Sequence, residues 1–137
     1  MTKNIWKTGG ILAALMMAGI ALAGPVAVKL SGDQEVPPVT TSGAGSGTIT
    51  IGDDGSVSGS VTTTGVPGTM AHIHEGAPGT NGGVAIPLEK KGENGWAVPA
   101  GAKLSDAQMK AFKAGNLYVN VHTEKNKGGE VRGQLKP

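Results

Sequence analysis

Short runs in which Val, Ile or Thr alternate with small or polar residues recur from Val26 onward, and turn-forming residues interrupt them every few positions. Thr48-Ile49-Thr50-Ile51 and Val57-Ser58-Gly59-Ser60-Val61 are joined by Gly52-Asp53-Asp54-Gly55. A period of two sends successive side chains to opposite faces of an extended strand, and glycines around an Asp pair supply a tight turn. These two runs therefore form a hairpin. The same punctuation along the rest of the chain predicts an all-β fold, a Greek-key barrel or sandwich of about eight strands.

The other expected strands are Val26–Leu30, Thr69–His74, Val84–Leu88, Gly95–Val98, Leu117–His122 and Glu130–Leu135, with Gln34–Val39 extended through Pro37-Pro38. Gly76–Gly83, with Pro78-Gly79 and Asn81-Gly82, reads as a loop. One stretch breaks the β pattern. Ser105 is a helix N-cap, the residues to Lys113 are good helix formers, and Gly115 ends the run. This predicts one short helix, with Leu104, Met109 and Phe112 as its buried stripe.

The beginning of the chain reads differently. Lys3 and Lys7 precede an apolar run from Ile11 to Leu22, and Ala21-Leu22-Ala23 has the small-x-small pattern of a signal-peptidase site. Residues 1–23 are expected to be a secretory signal, too short in its apolar core for a comfortable membrane span. Residues 24–137 would then form one exported domain, periplasmic or secreted, with no membrane span. No cysteine follows the cleavage position, so a lipoprotein anchor is not expected. The chain has 12 basic and 10 acidic residues, and two of the basic ones lie in the leader. The remaining domain is close to neutral, which argues against a nucleic-acid footprint. Without cysteine it has no disulfide to stabilise it.

The chemistry concentrates in three histidines, the whole complement of the chain. Ala71-His72-Ile73-His74-Glu75 holds two of them and Tyr118-Val119-Asn120-Val121-His122-Thr123 the third. His72 and His74 share a strand face, with Cα atoms roughly 6.5–7 Å apart, a span that two imidazoles can bridge to one ion. His122 shares a face with Asn120 and Tyr118. It joins the pair only if the two strands present the same face to one point. Three neutral imidazoles with an open position suit copper or zinc, and imidazole alone does not choose between them. Met70 is in phase with His72 and His74, but a methionine more often fills the core. Glu75 is out of phase, while Glu124 is in phase with His122 and could accept an imidazole N–H.

Four stretches together resemble the chordin-type, or CHRD, domain family. They are Leu30–Pro38, Ala71–Gly82, Leu117–Thr123 and Gly129–Leu135. The resemblance implies an extracytoplasmic β-barrel or sandwich and covers essentially all of residues 24–137. The His-x-His strand, its glycine-rich loop and the later Val-His strand also look like the copper half of copper–zinc superoxide dismutase. That likeness implies His72, His74 and His122 as copper ligands, with Arg132 where an anion-guiding arginine would be sought. The chain lacks the bridging histidine, the zinc loop and the disulfide of those enzymes.

The function expected is an exported copper-binding module with a mononuclear three-histidine site, for copper buffering, transfer or redox. Its partners would be a metal ion and another exported protein. A non-metal structural or protein-interaction module is the alternative, and a copper-only dismutase-like enzyme the second. For Arg132, with Glu130 two residues before it, an ion pair or a loop-holding hydrogen bond competes with anion guidance. Asp33 and Glu35 resemble a carboxylate pair but have no evident partner. No nucleophile set is free of the histidines, and Gly43-Ala44-Gly45-Ser46-Gly47 precedes a strand, so it is no phosphate loop.

Overall fold

The structure is a computed structural model that describes residues 23–137; all of the expected leader but its last residue lies outside the described residues. Nine antiparallel strands form one sheet: β1 (Gly24–Ser31), β2 (Ala44–Ile51), β3 (Val57–Thr64), β4 (Gly68–Glu75), β5 (Val84–Pro87), β6 (Glu89–Lys91), β7 (Gly95–Ala97), β8 (Leu117–Thr123) and β9 (Val131–Leu135). Their spatial order is β5-β4-β8-β9-β1-β2-β3-β7-β6. The expected hairpin is β2–β3, in unbroken register from Ala44↔Thr64 to Ile51↔Val57. Its turn closes through Gly55 N–H donating to the Gly52 carbonyl at 2.9 Å.

The sheet curls into a nearly closed barrel, and the chain itself links the two edges. β5 and β6 stand at opposite ends of the strand order, yet a single residue, Leu88, separates them. The Leu88 N–H donates to the Ala71 carbonyl of β4 at 2.9 Å, while β6 pairs with β7. Non-sequential neighbours (β4 beside β8, β9 beside β1, β3 beside β7) are the long returns that distinguish this order from a simple meander.

The interior follows from alternation. Val26, Val28, Leu30, Ile49, Ile51, Ala71, Ile73, Leu117, Val119, Val121, Val131 and Leu135 are all buried in one core cluster. Trp96 and Phe112 complete it from β7 and the helix. That helix, α1 (Asp106–Lys113), starts with a reciprocal capping box between Ser105 and Gln108, which satisfies two of its free N–H groups. Leu104 and Phe112 are buried and Met109 is partly buried against the core, as the sequence pattern predicts.

Two local expectations differ. Gln34, the first residue of the expected extended run, lies in a 3-10 turn, Gly32–Gln34, and the Gly32 carbonyl accepts from both the Glu35 and Val39 N–H groups. β6 was not expected. Its Glu-Lys-Lys sequence is exposed at every position, so it has no buried face and no alternation to reveal it.

Candidate metal centre

The site sits on the outer face of the barrel. β4 and β8 pair antiparallel with Met70↔His122, His72↔Asn120 and His74↔Tyr118 in register. Residues directly opposite across a strand pair project to the same side. With Ala71, Ile73, Val119 and Val121 facing the core, the other set of side chains must point outward, and all three histidines belong to it. β9 extends the row, since Arg132 pairs with Asn120 and Gln134 with Tyr118.

An outer face would ordinarily be wet. Here every residue of β8 is buried, because two loops lie over it. The segment after β4 is stitched down by outward side chains. Arg132 donates to the carbonyls of Ala77 (3.1 Å) and Thr80 (2.9 Å), and Gln134 to that of Gly76 (2.8 Å). The Gly82 N–H donates to the Tyr118 hydroxyl at 3.1 Å. Gly82 is required there, because a methyl at that position would collide with the Glu75 carbonyl. The segment after β8 folds back in the same way, with the Asn126 N–H bound to Thr123 Oγ1 at 3.0 Å.

The three imidazoles converge. One ligand nitrogen from each of His72, His74 and His122 lies within 4.8 Å of the others, and His72 Nδ1 and His122 Nε2 are 3.0 Å apart. Metal–nitrogen bonds of about 2.0–2.1 Å allow at most about 4.2 Å between two ligands, so the widest pair must close by some tenths of an ångström around an ion. Backbone carbonyls fix the orientation of two of the rings. His74 Nδ1 lies 3.0 Å from the Gly82 carbonyl and His122 Nδ1 lies 2.8 Å from the Lys127 carbonyl. A carbonyl only accepts, so each Nδ1 carries the proton and each neutral ring presents a bare Nε2. For His74 that Nε2 is buried and makes no well-formed hydrogen bond, with the similarly unpaired Oδ1 of Asn120 as its nearby polar neighbour. A ring anchored at Nδ1 with a free Nε2 is able to serve as a metal ligand with its outer-sphere partner in place.

Electrostatics favour neutral rings. Burial holds the His72 pKa below 6.5, helped by the neighbouring His122 and His74. Burial also lowers that of His74, although the Gly82 carbonyl works in the opposite direction. Desolvation penalises the imidazolium in both cases, so the lone pairs a metal needs persist to lower pH than in a free histidine.

The CHRD domain profile matches residues 26–135, four-fifths of the chain and all of the barrel but the first two residues of β1. The chain belongs to the CHRD family. No curated protein and no solved structure matches it.

In this CHRD domain the other residues singled out in the sequence divide sharply. Arg132 is loop-holding. It is 1 % exposed, lies 3.5 Å over the Tyr118 ring, and its guanidinium also reaches Asn81 Oδ1 and Gln134 Oε1. Both Nη groups are thus engaged by the loop and Gln134, which leaves Arg132 tied down rather than poised as an anion guide. Tyr118 stacks on His74 with ring centroids 4.9 Å apart, so His74, Tyr118 and Arg132 form one pile. Glu130 turns away from Arg132 and accepts from Thr41, Thr123 and Asn126.

Glu124 is exposed and is not the acceptor for His122, since the Lys127 carbonyl takes that place. Asp33 is exposed and bonds to Ser31. Glu35 is the neighbour sequence reasoning missed. It is buried against Asn120 and Gly129, and burial raises its pKa to about 7, although Arg132 and Asn120 pull it down. A Cβ at Gly129 would fall 2.5 Å from both Glu35 Oε1 and Asn120 Nδ2, so only glycine lets the three come together. Met70 does not join the core, being 52 % exposed.

Proposed function

We propose that this CHRD domain is an exported copper-binding module, with His72, His74 and His122 as the ligands of a single ion, acting in copper buffering, transfer or redox. One observation carries the reading: three imidazoles meet on a buried outer face, two of them with Nδ1 anchored on carbonyls and Nε2 left bare. Leaving a polar nitrogen buried and unpaired costs about 1–3 kcal/mol, a cost that an ion at that position removes. The donor set is neutral and all-nitrogen, so a divalent ion would keep its charge and an open position. Copper is preferred over zinc for the place of copper at the top of the divalent affinity order and for the likeness of the ligand pattern to the copper half of the dismutases. Export rests on the leader-like first residues and on the family. No helix among the described residues is long and apolar enough to cross a membrane.

A second reading has its own support. His72 and His122 are close enough to hydrogen-bond to each other, so the cluster could pin the two covering loops without any ion. Copper and zinc titrations of the purified protein between pH 7 and pH 5 separate the two. Metal ligation predicts saturable binding of one ion that weakens steeply with acidification, as protons compete for the imidazoles. A flat pH profile, or no saturable binding, would leave the structural reading standing.

A further inference from the structure

We propose that Met70 is the soft ligand through which Cu(I) reaches and leaves the histidine cluster, which makes the centre a Cu(I)-exchanging site. The inference rests on the copper reading above and adds the oxidation state and the route.

Met70 has the wrong exposure for a core residue and the right position for a ligand. Burying a methionine side chain is worth about 1.5–3 kcal/mol, yet Met70 is left 52 % exposed, one of two large hydrophobic side chains so exposed among the described residues. It lies two residues before His72 on the same strand face and directly opposite His122. Side chains paired in this way have Cβ atoms about 4.5–5.5 Å apart, within reach of a flexible thioether. The β4–β8 register shifts between Gly68 and Met70, an irregularity of the kind that re-aims a side chain at a sheet edge or a site.

A path to solvent coincides with this position. A cleft of about 340 Å³ is lined by Thr69, Met70, His122, Thr123, Glu124 and Lys127. His122, 8 % exposed, and Met70, 52 % exposed, both line it. The clefts on the far side of the site, around Glu35 and Pro38, touch no histidine. An ion arriving by the Met70 cleft therefore meets the thioether and His122 first.

Thioether sulfur selects Cu(I), while imidazole accepts Cu(I), Cu(II) or zinc. Methionine brings no charge and no proton, so its contribution does not titrate. A neutral, exposed sulfur beside a His cluster thus adds affinity chiefly for Cu(I). No electron transfer is involved; the ion exchanges as Cu(I) between carriers.

The test compares Met70→Leu with Met109→Leu in the purified protein, using competition with a chromophoric chelator for Cu(I) under anaerobic reducing conditions and for Cu(II) in air. Met70→Leu is expected to weaken Cu(I) binding about tenfold while leaving Cu(II) binding and the melting of the metal-free protein unchanged; Met109→Leu should alter neither affinity. The Met70 methyl resonance should also shift on Cu(I) addition. Unchanged Cu(I) affinity in Met70→Leu, with binding abolished in His122→Ala, would overturn the role of Met70 and leave the histidine site intact. An equal loss of Cu(I) and Cu(II) affinity would overturn it too, as a packing effect. Absence of copper binding in the unsubstituted protein would overturn the histidine site itself.

Discussion

His72 Nδ1 and His122 Nε2 face each other at 3.0 Å across the β4–β8 pair, and only one proton fits between them. His122 has its Nδ1 hydrogen directed at the Lys127 carbonyl, so in the neutral metal-free protein the shared proton belongs to His72. Nitrogen-15 NMR of the metal-free protein should therefore find His72, His74 and His122 all as Nδ1–H tautomers. Metal loading should move His72 alone to the Nε2–H form. An Nε2–H tautomer for His74 or His122 before loading would contradict the carbonyl anchors.

Substitution of each ligand separates binding from scaffolding. His72→Ala, His74→Ala and His122→Ala should each weaken Cu(II) binding by about 100-fold or more. Their effects on the metal-free protein should differ. His72 is partly exposed and bonds only to another ligand, so its loss should cost little. His74 and His122 also hold the covering loops, and removing either should lower metal-free stability by about 1–2 kcal/mol. Denaturant titration of the three variants would decide; equal losses in all three would favour a purely structural cluster.

Arg132 should behave as a loop clamp. Its guanidinium holds two carbonyls of the 76–83 loop and stacks on Tyr118, a geometry lysine cannot reproduce. Arg132→Lys is expected to cost about 2–4 kcal/mol and to speed hydrogen exchange at Thr80 and Gly82. Because the Gly82 carbonyl orients His74, copper affinity should fall with it. Intact copper binding beside a freely exchanging loop would uncouple the two.

Glu35 sets a pH dependence of its own. Burial raises its folded pKa from 4.5 to about 7, so between those values the folded state holds a proton that the unfolded state has released. The native protein therefore loses stability as pH rises through that window, and the full loss is present above pH 7. A shift of this size is worth about 3 kcal/mol in a dry site, and partial solvation reduces it to about 1–2 kcal/mol. Glu35→Gln should then stabilise the metal-free protein by that amount at pH 8 and leave it unchanged at pH 4. A stabilisation independent of pH would contradict a buried carboxyl as its source.

Where the controlling interactions are local, the sequence was readable. The β2–β3 hairpin follows from alternation and its Gly-Asp-Asp-Gly turn, and α1 from the Ser105–Gln108 box. The shared face of His72 and His74 follows from the period of two. The meeting with His122 depends on β4 pairing with β8 across 50 residues, which periodicity does not report; only the likeness to the copper half of the dismutases suggested it. Glu35 was invisible as a site neighbour because loops that close only in the tertiary fold bury it. The same closure dries the polar face of β8, which alternation alone would place in water. Met70 erred the other way. Its residue type pointed to the core, while its phase with His72 and its exposure put it at the mouth of the site.

The most direct test of the central claim is electron paramagnetic resonance of the purified protein titrated with Cu(II). A three-histidine centre predicts a single spectrum that saturates at one copper per chain, with superhyperfine splitting from three nitrogens. Each His→Ala substitution should remove one nitrogen or abolish the signal. A spectrum unchanged in His122→Ala, or copper bound without nitrogen splitting, would contradict His72, His74 and His122 as the ligands.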